Sequence, residues 1–252
     1  MHSQINFGYG WQFIYGYLIV TALFLPLFLL AWSRGWSKLW AAIFGALAVW
    51  SLAAFLAVRF KMDFNGRLTL PTESFLASGS GRILDIGAGT GRSTLMVLEA
   101  RPHTSVVALD SFSEQYVEHF GTAGNGGEAL MQNMAAAGVE SRASVVTADM
   151  RQLPFEPGTF DGIVSAYTFE HLGRRGIRKS LDEASRVLKP QGEFLMMVLA
   201  KDAWLTLVWG PVALHGRLPA KTDWEGWLRD TGFAVVESGT RPASFYFLAR
   251  KP

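Results

Sequence analysis

Residues 81–95, GRILDIGAGTGRSTL, constrain this 252-residue chain more than any other stretch. Arg82–Ile86 is short, apolar and flanked by glycine, which predicts a buried strand. Gly87, Ala88, Gly89, Thr90 and Gly91 predict a tight turn whose small residues let a ligand approach the backbone. A helix is expected from Arg92 or Ser93 to Ala100, stopping at Arg101-Pro102. Its N-terminal amides favour a carboxylate or phosphate nearby. A strand, a glycine turn and a helix in that order form the unit of a doubly wound α/β sheet.

The glycine spacing narrows the ligand. Dinucleotide folds use G-x-G-x-x-G, the last glycine packing helix on strand. Here the pattern is G-x-G-x-G, and Arg92 stands where that third glycine belongs. Asp85 precedes the first glycine by two residues. A carboxylate there suits an ammonium group, such as the amino-acid end of S-adenosylmethionine (SAM), better than a pyrophosphate. Residues 83–91, ILDIGAGTG, resemble motif I of the class I SAM-dependent methyltransferases, of the UbiE-like, type-11 kind. The resemblance implies a Rossmann-like, seven-stranded, mostly parallel sheet with SAM as cofactor. It assigns cofactor contacts to Asp85, Gly87, Ala88, Gly89 and Gly91.

Later segments arrive in the order that this resemblance requires. Ser105–Leu109 is a second apolar strand ending in Asp110, about 20 residues past the turn, where such sites place an acid on ribose hydroxyls. The resemblance puts Ser111 beside it. Ser113–Phe120 and Glu128–Ala137 read as helices around a glycine-rich loop at residues 121–127, with Gly138 as a cap and His119 as a surface residue, or else one that lines a site. Ala143–Thr147 is a third strand, and the resemblance carries adenine contacts to Asp149 and Met150. Asp161–Ala166 is the fourth strand, so Ser165, Tyr167, Glu170 and His171 are expected near the methyl donor. Residues 186–198 resemble the family's helix–turn–strand that supplies the fifth strand, with Pro190 and Gly192 as turn residues. Trp224–Arg229 is expected to be a helix, and Phe233–Glu237 and Ala243–Arg250 the last strands; the resemblance implies that one of them is antiparallel. The resemblance spans about residues 68–252.

The first sixty residues differ in kind. No Lys, Arg, Asp or Glu occurs from Met1 to Ser33 or from Leu39 to Val58. Trp11–Trp32 and Leu39–Val58 each reach the roughly 20 apolar residues that span a bilayer core. Tyr9, Trp11, Tyr15, Tyr17, Trp32, Trp36, Trp40 and Phe60 gather at their ends, where rings favour the headgroup layer. The short link Ser33–Lys38 implies an antiparallel hairpin, and Pro26 an expected kink. A signal peptide fits poorly, because no basic residues precede the first run and the run is too long. A buried soluble hairpin is the competing reading. Residues 1–62 are therefore expected to be a two-helix transmembrane anchor and residues 63–252 a methyltransferase domain. Arg59, Lys61 and Arg67 after the second run, against Arg34 and Lys38 in the link, favour a cytoplasmic catalytic domain. So does SAM, which is made and kept in the cytosol.

Methyl transfer from a sulfonium rests mainly on positioning; a base matters only where the acceptor sheds a proton. His171 is the candidate base, or else the start of the next helix; Tyr167 shapes the methyl channel, or else packs. Lys201–Leu218 is unusually apolar for a connection and reads as a lid or interfacial segment, with His215 as a second base candidate, or as a core helix. The expected acceptor is small, apolar or membrane-resident: a lipid, quinone or isoprenoid. A SAM-binding regulator or scaffold is the alternative; a nicotinamide oxidoreductase is disfavoured by Arg92 and Asp85. With no cysteine, thiolate metal sites are excluded, and no metal is expected. A net charge of +2 without a basic groove gives no reason for a nucleic-acid partner. The oligomeric state is not readable from the sequence.

Overall fold

A computed structural model describes residues 5–112, 126–210 and 218–252. The expected helix at Ser113–Phe120, residues 121–125 of the expected loop, His119 and His215 lie outside the described residues.

The two apolar runs form α1 (Trp11–Ser33) and α2 (Lys38–Ala57). Both are long and apolar enough to cross a membrane. α1 is assigned as one helix through Pro26. Small residues supply the buried positions of the pair, Ala31, Ala41, Ala48 and Ala54 among them, and Gly45 lies against the Phe28 ring. Such residues let backbones approach closely without a large apolar driving force. The Thr21 and Ser51 hydroxyls bond across the pair at 2.8 Å. The outward faces carry bare Ile19, Leu23, Leu29, Leu39 and Val49. A π-helical turn, Val58–Met62, ends α2, and Asp63 (φ +38°) reverses the chain.

The remainder is an α/β sandwich. Its elements are β1 (Ser80–Ile86), α3 (Arg92–Ala100), β2 (His103–Asp110), α4 (Gly126–Ala136), β3 (Ala143–Thr147), β4 (Phe160–Ala166), α5 (Arg174–Val187), β5 (Leu188–Leu199), α6 (Ala203–Trp209), α7 (Lys221–Asp230), β6 (Ala234–Arg241) and β7 (Ser244–Arg250). Seven strands form one sheet in the order β3-β2-β1-β4-β5-β7-β6. The pairs β3/β2, β2/β1, β1/β4 and β4/β5 are parallel, and β7 runs antiparallel to both neighbours.

Adjacent strand residues point to opposite faces, so the buried strands read as continuous apolar runs. Leu84, Phe160, Ile163, Phe194 and Phe247 pack with Trp224 and Leu228 on one face. Ile83, Val106, Val164, Leu195 and Leu248 pack with Leu95, Leu130 and Met134 on the other. Two details depart from the sequence reading. β5 begins at Leu188, ahead of Pro190 and Gly192, which sit in a register shift between Phe160↔Leu188 and Gly162↔Glu193. Gln191 (φ +62°) there donates its amide to the Lys251 carbonyl at 2.9 Å. Ile5–Tyr9, on the anchor side of the expected boundary, packs with the sheet: Phe7 is 2% exposed, inside the second core.

Candidate active site

The chain runs outward in both directions from β1 and β4, so their carboxyl ends open a crevice at the topological switch point. That crevice is a cleft of about 700 Å³. Gly87, Ala88, Gly89 and Thr90 form one wall, Asp110 and Ser111 the next, Ala148–Arg151 the far end, and Ala166–Thr168 with His171 and Leu172 the opposite side.

The glycine turn is shaped by necessity. Gly87, Gly89 and Gly91 have φ of +74°, +52° and +90°, which side chains disfavour. A Cβ on Gly87 would stand 2.1 Å from the Thr168 methyl carbon. Gly87 and Ala88 donate their amides to the Leu109 carbonyl at 2.8 and 3.0 Å, stitching the turn to the end of β2. Asp110 closes the arrangement: its carboxylate accepts from the Gly89 amide and the Phe112 amide, both at 2.9 Å. Each oxygen can accept a further hydrogen bond, which suits a pair of hydroxyls.

Gly91 does not line the cleft, since a Cβ there would stand 2.8 Å from Leu130 Cγ, and three expected side chains also stand elsewhere. Asp85 does not line the cleft. It is fully buried behind the turn, accepting from Ser93 Oγ at 3.0 and 2.8 Å and from Thr94 Oγ1 at 2.6 Å. Burial pushes its carboxyl up to about 7, against the pull of the Thr94 and Ser93 hydrogen bonds. Its reach toward a ligand therefore passes through Ser93, which does line the cleft. Ser165 is likewise buried, donating to the Ile86 carbonyl at 2.7 Å and tying β4 to β1; Ala166 faces the cleft instead. Glu170 points into the protein, accepting from the Leu199 amide at 3.2 Å, and burial raises it to about 7. In each case the two-residue alternation of a strand, or the tight turn after it, aims the side chain away.

The other expected residues converge. Asp149 and Met150 form the far end, although the Asp149 carboxylate is clasped by Arg151, with Nη2 at 2.7 Å. The hydrogen bond from Arg151, outweighing the opposing effect of burial, holds Asp149 below its ordinary value. Tyr167 and His171 both line the cleft. Tyr167 has φ +57°, a costly conformation for an aromatic residue, and its amide donates to the Met197 carbonyl at 2.9 Å. Burial raises its phenol.

Sequence reasoning missed a wall. Phe7, Tyr9, Leu68 and Arg92 line the cleft as well. Tyr9 reads in the sequence as a headgroup aromatic, but here it faces the cofactor cleft. Arg92 donates to the Gly66 carbonyl at 2.9 Å and the Asp63 carbonyl at 2.6 Å, which explains a large residue where a dinucleotide fold has glycine. Among the described residues no three His, Asp or Glu side chains converge as a metal site.

The cleft fits SAM in size and donor set: an elongated ligand with a charged end at the turn, hydroxyls at Asp110 and a flat ring near Met150. Comparison with known proteins decides the matter. A family model described as a methyltransferase domain matches residues 83–192. A demethylmenaquinone methyltransferase of Clavibacter sepedonicus is 30% identical over 194 residues, 67% of this chain and 72% of that protein. The chain belongs to the class I SAM-dependent methyltransferases. A ubiquinone/menaquinone biosynthesis C-methyltransferase of Syntrophotalea carbinolica is 32% identical over 144 residues, 55% of this chain. This chain spans only about half (52%) of that relative. A solved SAM-dependent methyltransferase from Aquifex aeolicus shares the fold, with TM-score 0.54, 21% identity, and 68% of this chain and 82% of that one covered. Within the class I methyltransferase fold, SAM is the cofactor and the Gly87–Gly91 turn is its expected cradle.

Proposed function

We propose that this methyltransferase, anchored by α1 and α2 with its catalytic domain facing the cytoplasm, transfers the SAM methyl group to a small apolar acceptor resident in the membrane. The acceptor class is a quinone precursor, another isoprenoid or a lipid. The names of the two relatives, both concerned with quinones, support it. The observation that carries it is the seam between the helix pair and α6. Tyr17 on α1 donates its hydroxyl to the Val208 carbonyl, and Trp50 Nε1 on α2 donates to the Leu207 carbonyl at 2.9 Å. Ala57, Val58 and Val208 are buried together there. α6 follows β5, so it belongs to the carboxyl edge where the cleft opens. An acceptor leaving the bilayer along this seam would emerge at the edge of the sheet on which the cleft opens.

When bound, SAM supplies a methyl group already activated by its sulfonium. The chain's contribution is position. The Gly87–Gly91 turn and Asp110 would hold the cofactor, and Tyr167 and His171 would face the transferred group. His171 would take the proton that a hydroxyl or activated carbon acceptor loses as its new bond to carbon forms. A base of this kind contributes about 10² to 10⁴-fold.

The test is incubation of the full chain in liposomes with methyl-labelled SAM and a membrane extract. Label in a product extracted into organic solvent supports the reading. Label confined to a water-soluble product, or none from any membrane, overturns it. SAM binding without transfer would favour a scaffold role.

A further inference from the structure

The backbone on both sides of the helix pair is gathered at the cofactor cleft. Before α1, Ile5–Tyr9 forms a strap that gives the cleft two wall residues, Phe7 and Tyr9. Thr90 Oγ1, in the glycine turn, donates to the Phe7 carbonyl at 3.0 Å. Asn133 on α4 holds the next residue twice, accepting from the Asn6 amide and donating to the Asn6 carbonyl, both at 2.9 Å. Asn133 also donates to the Thr90 carbonyl at 2.9 Å, so strap and turn share one side chain. After α2, Asn65 accepts from the Phe7 amide at 3.0 Å. Arg92 bonds the Asp63 and Gly66 carbonyls and the Tyr9 side chain. Rings continue the connection: Tyr9 meets Phe64 at 5.5 Å and Phe13 at 6.0 Å between centroids, and Phe13 meets Trp209 of α6 at 5.6 Å.

We propose that this strap completes the SAM site, so that cofactor binding and the seating of α1 are energetically linked. Phe7 and Tyr9 line the cleft, and only Gly10 separates Tyr9 from the first residue of α1. A cofactor that contacts the closed strap stabilises it, and whatever loosens the strap weakens the cofactor by the same factor. Asn65 is a positioning residue that acts through Phe7 and does not line the cleft. The role of α1 as a membrane helix rests on the reading proposed above; the strap itself does not.

The experiment uses the full chain in lipid nanodiscs and S-adenosylhomocysteine as the probe. Tyr9→Ala is expected to raise Kd by about tenfold or more, the scale of one aromatic contact. Asn65→Ala is expected to raise it several-fold while the melting temperature without ligand stays near the parent's. The chain has no cysteine, so Ile5→Cys gives a single thiol. Its labelling by a water-soluble maleimide is expected to slow at least fivefold when the probe saturates the site. Kd values within twofold of the parent in both variants, or a labelling rate that the probe leaves unchanged, overturn the proposal. Flotation with liposomes is scored separately. A chain that fails to float while these results hold sinks the membrane reading and leaves the strap standing.

Discussion

Asp85→Asn isolates the cost of a buried charge beneath the cofactor turn. Asp85 is fully buried, its neighbours are the Ser93 and Thr94 hydroxyls, and burial raises its carboxyl from 3.8 to about 7. The nearby Asp110 charge pushes the same way. Between these two values the folded protein holds a proton that the unfolded chain has released. Stability is therefore highest below about pH 4 as far as this group is concerned, falls as pH rises, and levels off above about 7. At 1.36 kcal/mol per pH unit, the difference between 3.8 and about 7 corresponds to about 4 kcal/mol at pH 8. For a chain of this size that is roughly 10 °C of melting temperature. Asparagine keeps the shape, accepts from Thr94 and donates to Ser93, and carries no charge at any pH. Thermal melts of parent and variant in nanodiscs at pH 5, 6, 7 and 8 measure the effect. The parent should lose stability across the range, and the variant should lose less and exceed the parent at pH 8. Glu170, also raised to about 7 by burial, leaves the variant a residual slope of the same sign. Equal slopes in parent and variant would show that Asp85 is not charged in that burial and refute the reasoning.

Other outcomes are expected at the cleft. Gly87→Ala sets a Cβ 2.1 Å from Thr168 at φ +74°, so it should destabilise the chain by about 2–4 kcal/mol and abolish S-adenosylhomocysteine binding, read by melting and calorimetry. Asp110→Asn turns one acceptor into a donor facing the Gly89 or Phe112 amide; cofactor affinity should fall about 10 to 100-fold, measured by calorimetry. His171→Gln should lower kcat at least 100-fold while the cofactor Kd stays within twofold, in a labelled-methyl assay; loss of both together would make His171 a structural residue.

The fold was legible where local chemistry is strong. The Gly87–Gly91 turn follows from positive φ values that only glycine adopts easily, and the helix from Arg92 to Ala100 and the strand Ala143–Thr147 stand as expected. Asp110, Met150, Tyr167 and His171 line the cleft, and each sits at or just past the carboxyl end of a strand. Asp85, Ser165 and Glu170 were misplaced for one reason: sequence gives distance along a strand or turn but not which way a side chain is aimed. A carboxylate two residues before a glycine turn looks available until a neighbouring helix offers it two hydroxyls.

By itself, then, the sequence determined a doubly wound domain with a SAM-type turn, and two apolar runs of membrane length. Those features are local: backbone freedom, hydrophobic run length and periodicity act within twenty residues or so. Only the tertiary structure decided that Phe7 and Tyr9, ahead of the first apolar helix, belong to the cofactor cleft, and that Arg92 binds the chain returning from the second. The hydrogen bonds of Phe7 and Arg92 that hold this arrangement span 26 to 83 residues of sequence. They arise because both ends of the helix pair meet at the carboxyl edge of the sheet, which no local pattern encodes.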